Sequence, residues 1–351
     1  MEKRTWYHRG RKLVLGLIIF LFVCYSIRII LAVQQINISV ARNSRVNFSS
    51  IDSRYNLAAY YLEYEFNEDI ILTDSDGVML TDYSKGSIQG LNHVDYIPGS
   101  ISQYALYQHQ KYLETADEKH LKSLISQADW LVDHQVLNES LNVGLWFYEF
   151  PLSQYDIDAH WASSLSQGLA ISALIRTYNL TNDEKYIIAA ERALNSFKYP
   201  VNGGGVAWID GENIFFEEIP SSTHILNGNI FGLFGVYDFY VATGSEQALQ
   251  LFNSNVETLE EWLPKYDVGY WSKYSLNPSA NLKDHFGIAS PAYHELHIDM
   301  LRLLSLITKD EMFDEYANKW ELNQRQIPAW AISSTYVIYK DLSKLIKKIA
   351  N

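Results

Sequence analysis

Apolar and polar positions run along this 351-residue chain in four long units of one form. Each unit is an apolar segment followed at once by an amphipathic one. The apolar segments are SISQYALYQHQKYL (100–113), WASSLSQGLAISALIRTY (161–178), ILNGNIFGLFGVYDFYV (225–241) and YHELHIDMLRLLSLI (293–307). In the last, Tyr293, Leu296, Met300, Leu303 and Leu304 fall three and four apart, the period of a helix. The partner segments, such as KYIIAAERALNSF (185–197), carry one charged face. Between the two members of each pair stands T-x-[DS]-E, beginning at Thr115, Thr181, Thr243 and Thr308, so that the starts lie 66, 62 and 65 residues apart. That tetrad predicts a capping box, with the threonine hydroxyl on the third amide of the new helix and the glutamate reaching back. A supersecondary unit repeated at one period predicts four helical hairpins, the apolar helix inside and the charged one outside. The fold class predicted is mainly α, an incomplete barrel of about four helical hairpins (an α/α toroid over 100–345) with small β-hairpins. Its cleft opens where the inner helices begin, lined by 93–99, 146–161, 203–223 and 271–293.

Shorter patterns fill in the remainder. ILTDSDGVMLTDY (71–83) alternates around Asp76-Gly77 and predicts a hairpin. Asp74 and Asp76 open like a calcium loop, but no acid follows at the closing distance, and the turn is the better reading. Gly203-Gly204-Gly205 lacks the Lys-Ser/Thr of a phosphate loop, and reads as the lead-in to a second hairpin turning at Asp210-Gly211. YNLAAYYLEYEF (55–66) reads as a strand or a short helix. Residues 55–99 form the hairpin and lead-in region. At the N-terminus, LVLGLIIFLFVCYSIRIILAV (13–33) is long enough to cross a bilayer. Lys3, Arg4, Arg9, Arg11 and Lys12 precede it in a basic tail, 1–12, which orients that tail to the cytoplasm. The expectation is one transmembrane signal anchor, a polar stem over 34–54, and a catalytic domain on the outer side, in a bacterial periplasm or a Golgi lumen.

Charge and cysteine content sharpen this. The formal charge is −13, and setting aside the first 33 residues leaves 40 acids against 22 bases. Such an acidic domain argues against nucleic-acid binding and requires a local cluster of cations for any polyanionic substrate. The one cysteine, Cys24, lies in the apolar run, so the outer domain has no disulfide.

Candidate chemistry gathers in Trp271–Asp299, where Tyr274, Lys273, Lys283, His285, Tyr293, His294 and His297 surround a loop holding Pro278 and Pro291. Helix is disfavoured until Pro291, which puts Tyr293 in the first turn of a helix and Tyr274 on the loop before it. With 25 tyrosines in the chain, core filling is the plain alternative for any one of them. His294 and His297 share a helix face and suit a metal, but no third ligand is evident, and no metal or organic cofactor is expected. Glu217 and Glu218 are neighbours on an extended segment and point to opposite faces, so they are not a paired acid and base.

Seven segments, in order, carry a resemblance: DSDGVMLTDY with YIPGSISQYAL, WASSLSQGLAISALIRTYNLT, GGGVAW with FEEIPSSTHILNG, LPKYDVGYWSKYSL, and YHELHI. Together the region 73–308 resembles the C-terminal catalytic domain of the D-glucuronyl C5-epimerases, which act on heparosan and heparan sulfate. The resemblance implies a helical toroid with a small β portion. It also implies catalytic roles for Tyr274, Tyr293 and Glu218. Where the family has E-E-Y-P this chain has Glu217-Glu218-Ile219-Pro220, and where it has Y-D-L-R-H this chain has Tyr274-Ser275-Leu276-Asn277-Pro278. A tyrosine and an arginine are therefore absent.

The implied reaction converts D-glucuronate to L-iduronate within a heparosan-like polymer. A base removes the C5 proton, which lies α to a carboxylate, and an acid returns one from the opposite face. Tyr274 and Tyr293 are expected to face each other across the sugar ring, with neither singled out as the base. Lys273, Lys283, His294 or His297 would supply the positive charge a phenolate needs. Glu217, Asn227, Trp161 and Trp271 complete the expected substrate-binding set, and Trp146 is a further stacking candidate. The partner expected is a uronate-containing polysaccharide, with a homodimer left open. The rival readings are a polyuronate lyase and a non-catalytic, membrane-tethered glycan-binding protein.

Overall fold

The computed structural model describes residues 45–46, 57, 59–83, 93–153, 155–277 and 287–324. The expected basic tail and anchor, nearly all of the stem, Lys283, His285 and everything after 324 lie outside the described residues. Among the described residues no helix is long and apolar enough to cross a membrane.

Eight α-helices form four hairpins among the described residues: α1 (Pro98–Thr115) with α2 (Glu118–Asp133), α3 (Ser164–Thr181) with α4 (Glu184–Asn195), α5 (Leu226–Thr243) with α6 (Glu246–Tyr266), and α7 (Pro291–Thr308) with α8 (Glu311–Gln324). The first helix of every pair has 18 residues and ends on the threonine of the tetrad. Successive first helices pack on one another, α1 on α3, α3 on α5 and α5 on α7. α3 and α5 are buried on nearly every face, whereas α4 and α6 bury one face each. The apolar helix is therefore inside and the amphipathic one outside, as the hydrophobic effect requires of these patterns. The α3–α5 crossing is close enough that a Cβ on Gly168 would meet the Phe231 carbonyl oxygen at 2.2 Å, and one on Gly235 the Gly168 oxygen at 2.3 Å.

The T-x-[DS]-E tetrad is a helix–helix corner, which corrects the capping-box expectation. Each threonine closes the inner helix, its hydroxyl donating to the carbonyl four residues back: Thr115 to Lys111, Thr181 to Thr177, Thr243 to Phe239 and Thr308 to Leu304. The second residue is left-handed, with φ of 54° at Ala116, 54° at Asn182, 70° at Gly244 and 64° at Lys309. The third residue, not the threonine, caps the outer helix. Asp117, Asp183 and Asp310 accept amides two residues on, and Ser245 accepts that of Ala248. The glutamate is the first residue of the new helix. A two-residue link leaves no room for a threonine N-cap, because the inner helix has not yet ended there.

The strands are small. β1 (Arg45–Val46) pairs antiparallel with β2 (Leu62–Glu63). β3 (Leu72–Thr73), β4 (Met79–Asp82) and β5 (Val94–Asp95) make a three-stranded antiparallel sheet, turning at Gly77 with φ 82°. The Asp74 carboxylate accepts the amides of Asp76 and Val78 there, which is the work of a turn. β6 (Val136–Asn138) pairs with β7 (Val143–Leu145), and β8 (Phe147–Tyr148) with β9 (Trp161–Ala162). β10 (Ala207–Asp210) pairs with β11 (Asn213–Phe216) through Gly211. Apart from β2, the segment 59–66 has no regular structure; it docks by side chains. Tyr61 donates to Asp238 at 2.9 Å, and Arg176 binds both the Ala59 carbonyl and, at 2.6 Å, Asp238. This fully buried ion pair ties α3 to α5 near their C-terminal ends.

Candidate functional site

A cavity of about 310 Å³ opens at the N-terminal ends of the inner helices. All four spans expected at the cleft contribute to it: Ile97 and Gly99; Tyr148, Tyr155 and Trp161; Glu218 and Ile219; Tyr274 and Tyr293. Tyr83, from the end of the first sheet, joins them.

Glu218 is placed by the β10–β11 hairpin, which runs directly into Glu217. The chain is fixed there by Ser164 donating to the Glu217 carbonyl at 3.0 Å and Glu217 donating to that of Val206 at 2.8 Å. The two carboxylates then diverge, as an extended chain demands. Glu217 turns inward, nearly inaccessible to water, with its Oε1 2.6 Å from His224 Nδ1 and its Oε2 accepting the His224 amide at 3.1 Å. Glu218 turns to the cavity and leans on α5, where a Cβ on Gly228 would meet its own Cβ at 2.3 Å. Asn227 Nδ2 donates to one of its oxygens at 3.2 Å, and Tyr274 Oη to the other at 3.3 Å. Burial pushes the Glu218 carboxyl up to about 7, the two hydrogen bonds pulling down and the Glu217 charge pushing up. It titrates where a general base must.

Tyr274 reaches this carboxylate because its loop is laced to the start of α5. Leu226 donates to the Tyr274 carbonyl at 3.0 Å and Leu276 to that of His224 at 3.4 Å. Tyr293 stands in the first turn of α7, behind the Ser290 cap, with its ring 4.7 Å from that of Tyr274. The expected arrangement across a sugar is thus not the one found: rings in contact leave no space between them for a pyranose, and both phenols belong to one wall. Burial holds the Tyr274 phenol well above its ordinary range, with the Glu218, Tyr293 and Tyr155 charges adding to it. No lysine, arginine or histidine is among the described residues lining the cavity.

The other expected site residues fall elsewhere. His294 and His297 are fully buried, and both Nδ1 atoms meet the Ser272 hydroxyl, at 2.8 and 2.9 Å. Burial lowers His294 to about 3 and His297 well below the usual imidazole range. They are neutral structural groups and lend a phenolate no charge. Trp271 stacks on His294 at 3.7 Å and donates to the Ala289 carbonyl, so it is core rather than sugar platform. Lys273 sits on a bridge with Ile288, away from the cavity lining. Glu217 is committed to His224. Trp161 does line the cavity, its indole donating to the Phe150 carbonyl at 2.9 Å, whereas Trp146 is buried in the helical core. No group of three metal-ligating side chains occurs among the described residues.

The sequence singled out neither Tyr148 nor Tyr155. Both fall in the 146–161 span, but no spacing distinguishes them from the many core tyrosines. The β8–β9 register, which sets Tyr148 opposite Trp161, is the feature that turns Tyr148 to the cavity wall.

Over 221 residues the chain is 31% identical to a D-glucuronyl C5-epimerase of Caenorhabditis elegans, covering 58% of this chain and 35% of that one. It thus spans about a third of that relative's length. It is 30% identical over 244 residues to an uncharacterized protein of Methanocaldococcus jannaschii, covering 64% of this chain and 76% of the other. Residues 139–322, which hold Tyr148, Glu218, Tyr274 and Tyr293, match the family described as D-glucuronyl C5-epimerase C-terminus, and the chain belongs to that family.

Proposed function

We propose that this protein is a uronyl C5-epimerase acting within a glucuronate-containing polysaccharide, with its four hairpins forming an arc of an α/α toroid around the substrate. The observation that carries the reading is Glu218: a carboxyl tuned to about 7 by burial, at the wall of a sugar-sized cavity, with a phenol and an amide donating to it.

Glu218, ionised, takes the C5 proton. A carboxylate is a weak base for so weak a carbon acid, so the barrier falls only if the resulting enediolate is stabilised as it forms. Donors that do not need to reorganise suit this task. The Tyr293 hydroxyl, Ser100 and Gln103 stand at the wall, where α1 begins with no side-chain cap and its positive dipole end favours an anion. This removes the need for the cations missing from the described lining. Tyr274 orients the Glu218 carboxylate and passes protons to and from it; its raised phenol is a donor, not a resting phenolate. Trp161 presents an apolar face to the sugar. The proton removed is replaced by another, so no redox cofactor enters.

The test is incubation of the protein in heavy water with heparosan and with other uronate polymers. Deuterium at C5 with intact chain length is the expected result. Unsaturated chain ends would show a lyase instead, and no exchange on any polymer would overturn the assignment.

A further inference from the structure

The segment 217–224 joins the end of β11 to the start of α5 and carries Glu218 and Ile219 into the cavity lining. Its backbone is not one a free chain would keep. Ser222 and His224 both stand in the left-handed region, with φ of 50° and 52°, where residues other than glycine are uncommon. Such positions persist only where the surroundings over-determine them. Here the surroundings include a buried pair, Glu217 and His224, that the proton transfer above does not use. Neither residue lines the cavity.

Glu217 closes the segment on itself. Its Oε2 accepts the amide of His224, seven residues on, and its Oε1 lies 2.6 Å from the Nδ1 of the same residue. The imidazole is held in an aromatic cage. Its centroid is 4.8 Å from that of Trp262 on α6, and 5.2 Å from those of Trp208 and Phe215 on β10 and β11, each ring met at a steep angle. The His224 carbonyl accepts the Tyr266 hydroxyl at 2.7 Å and the Leu276 amide at 3.4 Å, and the Thr223 carbonyl accepts the Asn277 amide at 3.2 Å. The closed segment is therefore also the edge on which the Tyr274 loop docks.

We propose that the Glu217–His224 pair positions the site, turning Glu218 to the cavity and seating Tyr274 against it without touching the substrate. The inference rests on the epimerase reading above. Adjacent residues of an extended chain point to opposite faces, so fixing Glu217 inward fixes Glu218 outward. The Tyr274–Glu218 hydrogen bond is already long at 3.3 Å, and a small shift of the segment breaks it. The pair also acts on Glu218 through charge. The titratable groups facing Glu218 are Tyr274 from the lead-in to α7, Tyr148 from β8 and Glu217 beside it in the chain. Burial holds both phenols above their ordinary range. Burial also pushes the Glu217 carboxyl up, while the His224 contacts pull it back toward the ionised form. Its charge then adds to the burial that raises Glu218.

The experiment follows C5 exchange in heavy water across pH 5 to 8 in the full chain, comparing wild type, Glu217→Gln and Glu217→Ala. Glutamine keeps the shape of the side chain and an oxygen for the His224 amide, but carries no charge. The acid limb of its profile should move to lower pH by about 0.5 or more, because a like charge beside Glu218 is gone. Alanine opens the segment. Its kcat should fall about 10- to 100-fold, with KM changed by no more than about twofold, and glutamine should recover most of that loss. A pair that serves stability alone would leave kcat per folded molecule, KM and the acid limb where they were, and that result overturns the proposal. An acid limb unmoved in Glu217→Gln overturns it too, and decides the matter should Glu217→Ala fail to fold. A wild-type protein that exchanges with no polymer sinks the epimerase reading instead. Carboxyl carbon-13 NMR, with Glu218 assigned by its loss in Glu218→Gln, then reads its titration directly, and the same downward move in Glu217→Gln is required.

Discussion

The two ends of the inner helices obey different rules. At their C-terminal ends the chain turns four times by one device: a threonine closing the helix, a left-handed residue, a capping Asp or Ser, and a glutamate starting the next helix. The polar groups there are matched, and the buried Arg176–Asp238 pair with Tyr61 is the extreme case. At the N-terminal ends no two lead-in segments are alike. One leaves the edge of the three-stranded sheet, one spans the β8–β9 pair, one is the tight β10–β11 hairpin and one a loop laced to its neighbour, and they converge on a carboxyl held far from its ordinary range. The contrast shows a scaffold made rigid by repetition so that four unrelated segments can meet at one cavity. Backbone polarity explains why: a helix C-terminus needs only its carbonyls satisfied, whereas N-terminal amides facing a cavity are useful left open to an anion.

The comparison can be broken most severely at Glu218. Glu218→Gln should reduce C5 exchange by about 10²–10⁴-fold, while thermal unfolding at pH 5 stays near the wild type. Asp238→Ala, at the other end, should show the inverse. Stability should fall by about 3–5 kcal/mol in denaturant titration, because Arg176 is left buried and unpaired, while the folded fraction keeps its activity. A third test uses pH. Glu218 has a folded pKa raised above its unfolded value, so its proton stabilises the fold fully below about 4.5, and that contribution is lost as pH rises through about 7. The melting temperature of Glu218→Gln should therefore gain on the wild type between pH 5 and pH 8, and wild-type exchange should rise over the same window as the base ionises. The corners should give the smallest effects. Asp183→Ala removes the cap of α4 and should cost about 1 kcal/mol. Asn182→Gly relieves a left-handed φ of 54° and should change stability by no more than about 1 kcal/mol, in the stabilising direction or not at all. Both are read from urea midpoints, with exchange unchanged.

Much of the scaffold was legible because its signals are local. Hydrophobic period gave the helices, and Asp76-Gly77 and Asp210-Gly211 gave the turns. The tetrad marked the corners, although its threonine was assigned to the wrong helix: T-x-[DS]-E suits both a capping box and a helix end, and only the left-handed second residue separates them. Site residues were less legible. Resemblance pointed to Glu218, Tyr274 and Tyr293, which do meet. His294, His297 and Trp271 looked equally chemical, yet Ser272 draws the two imidazoles inward beneath the indole.

Sequence alone therefore determined which segments are helices, how they pair, and which four connections gather at one end, since periodicity and turn chemistry act over a few residues. Tertiary structure decided which side chains of those connections reach the cavity, and on which wall. The divergence of Glu218 from Glu217, the contact of Tyr274 with Tyr293, and the Tyr148 hydroxyl against Ser166 all depend on strand register and on partners 18 to 56 residues away. No local pattern encodes a distance of that kind; packing does.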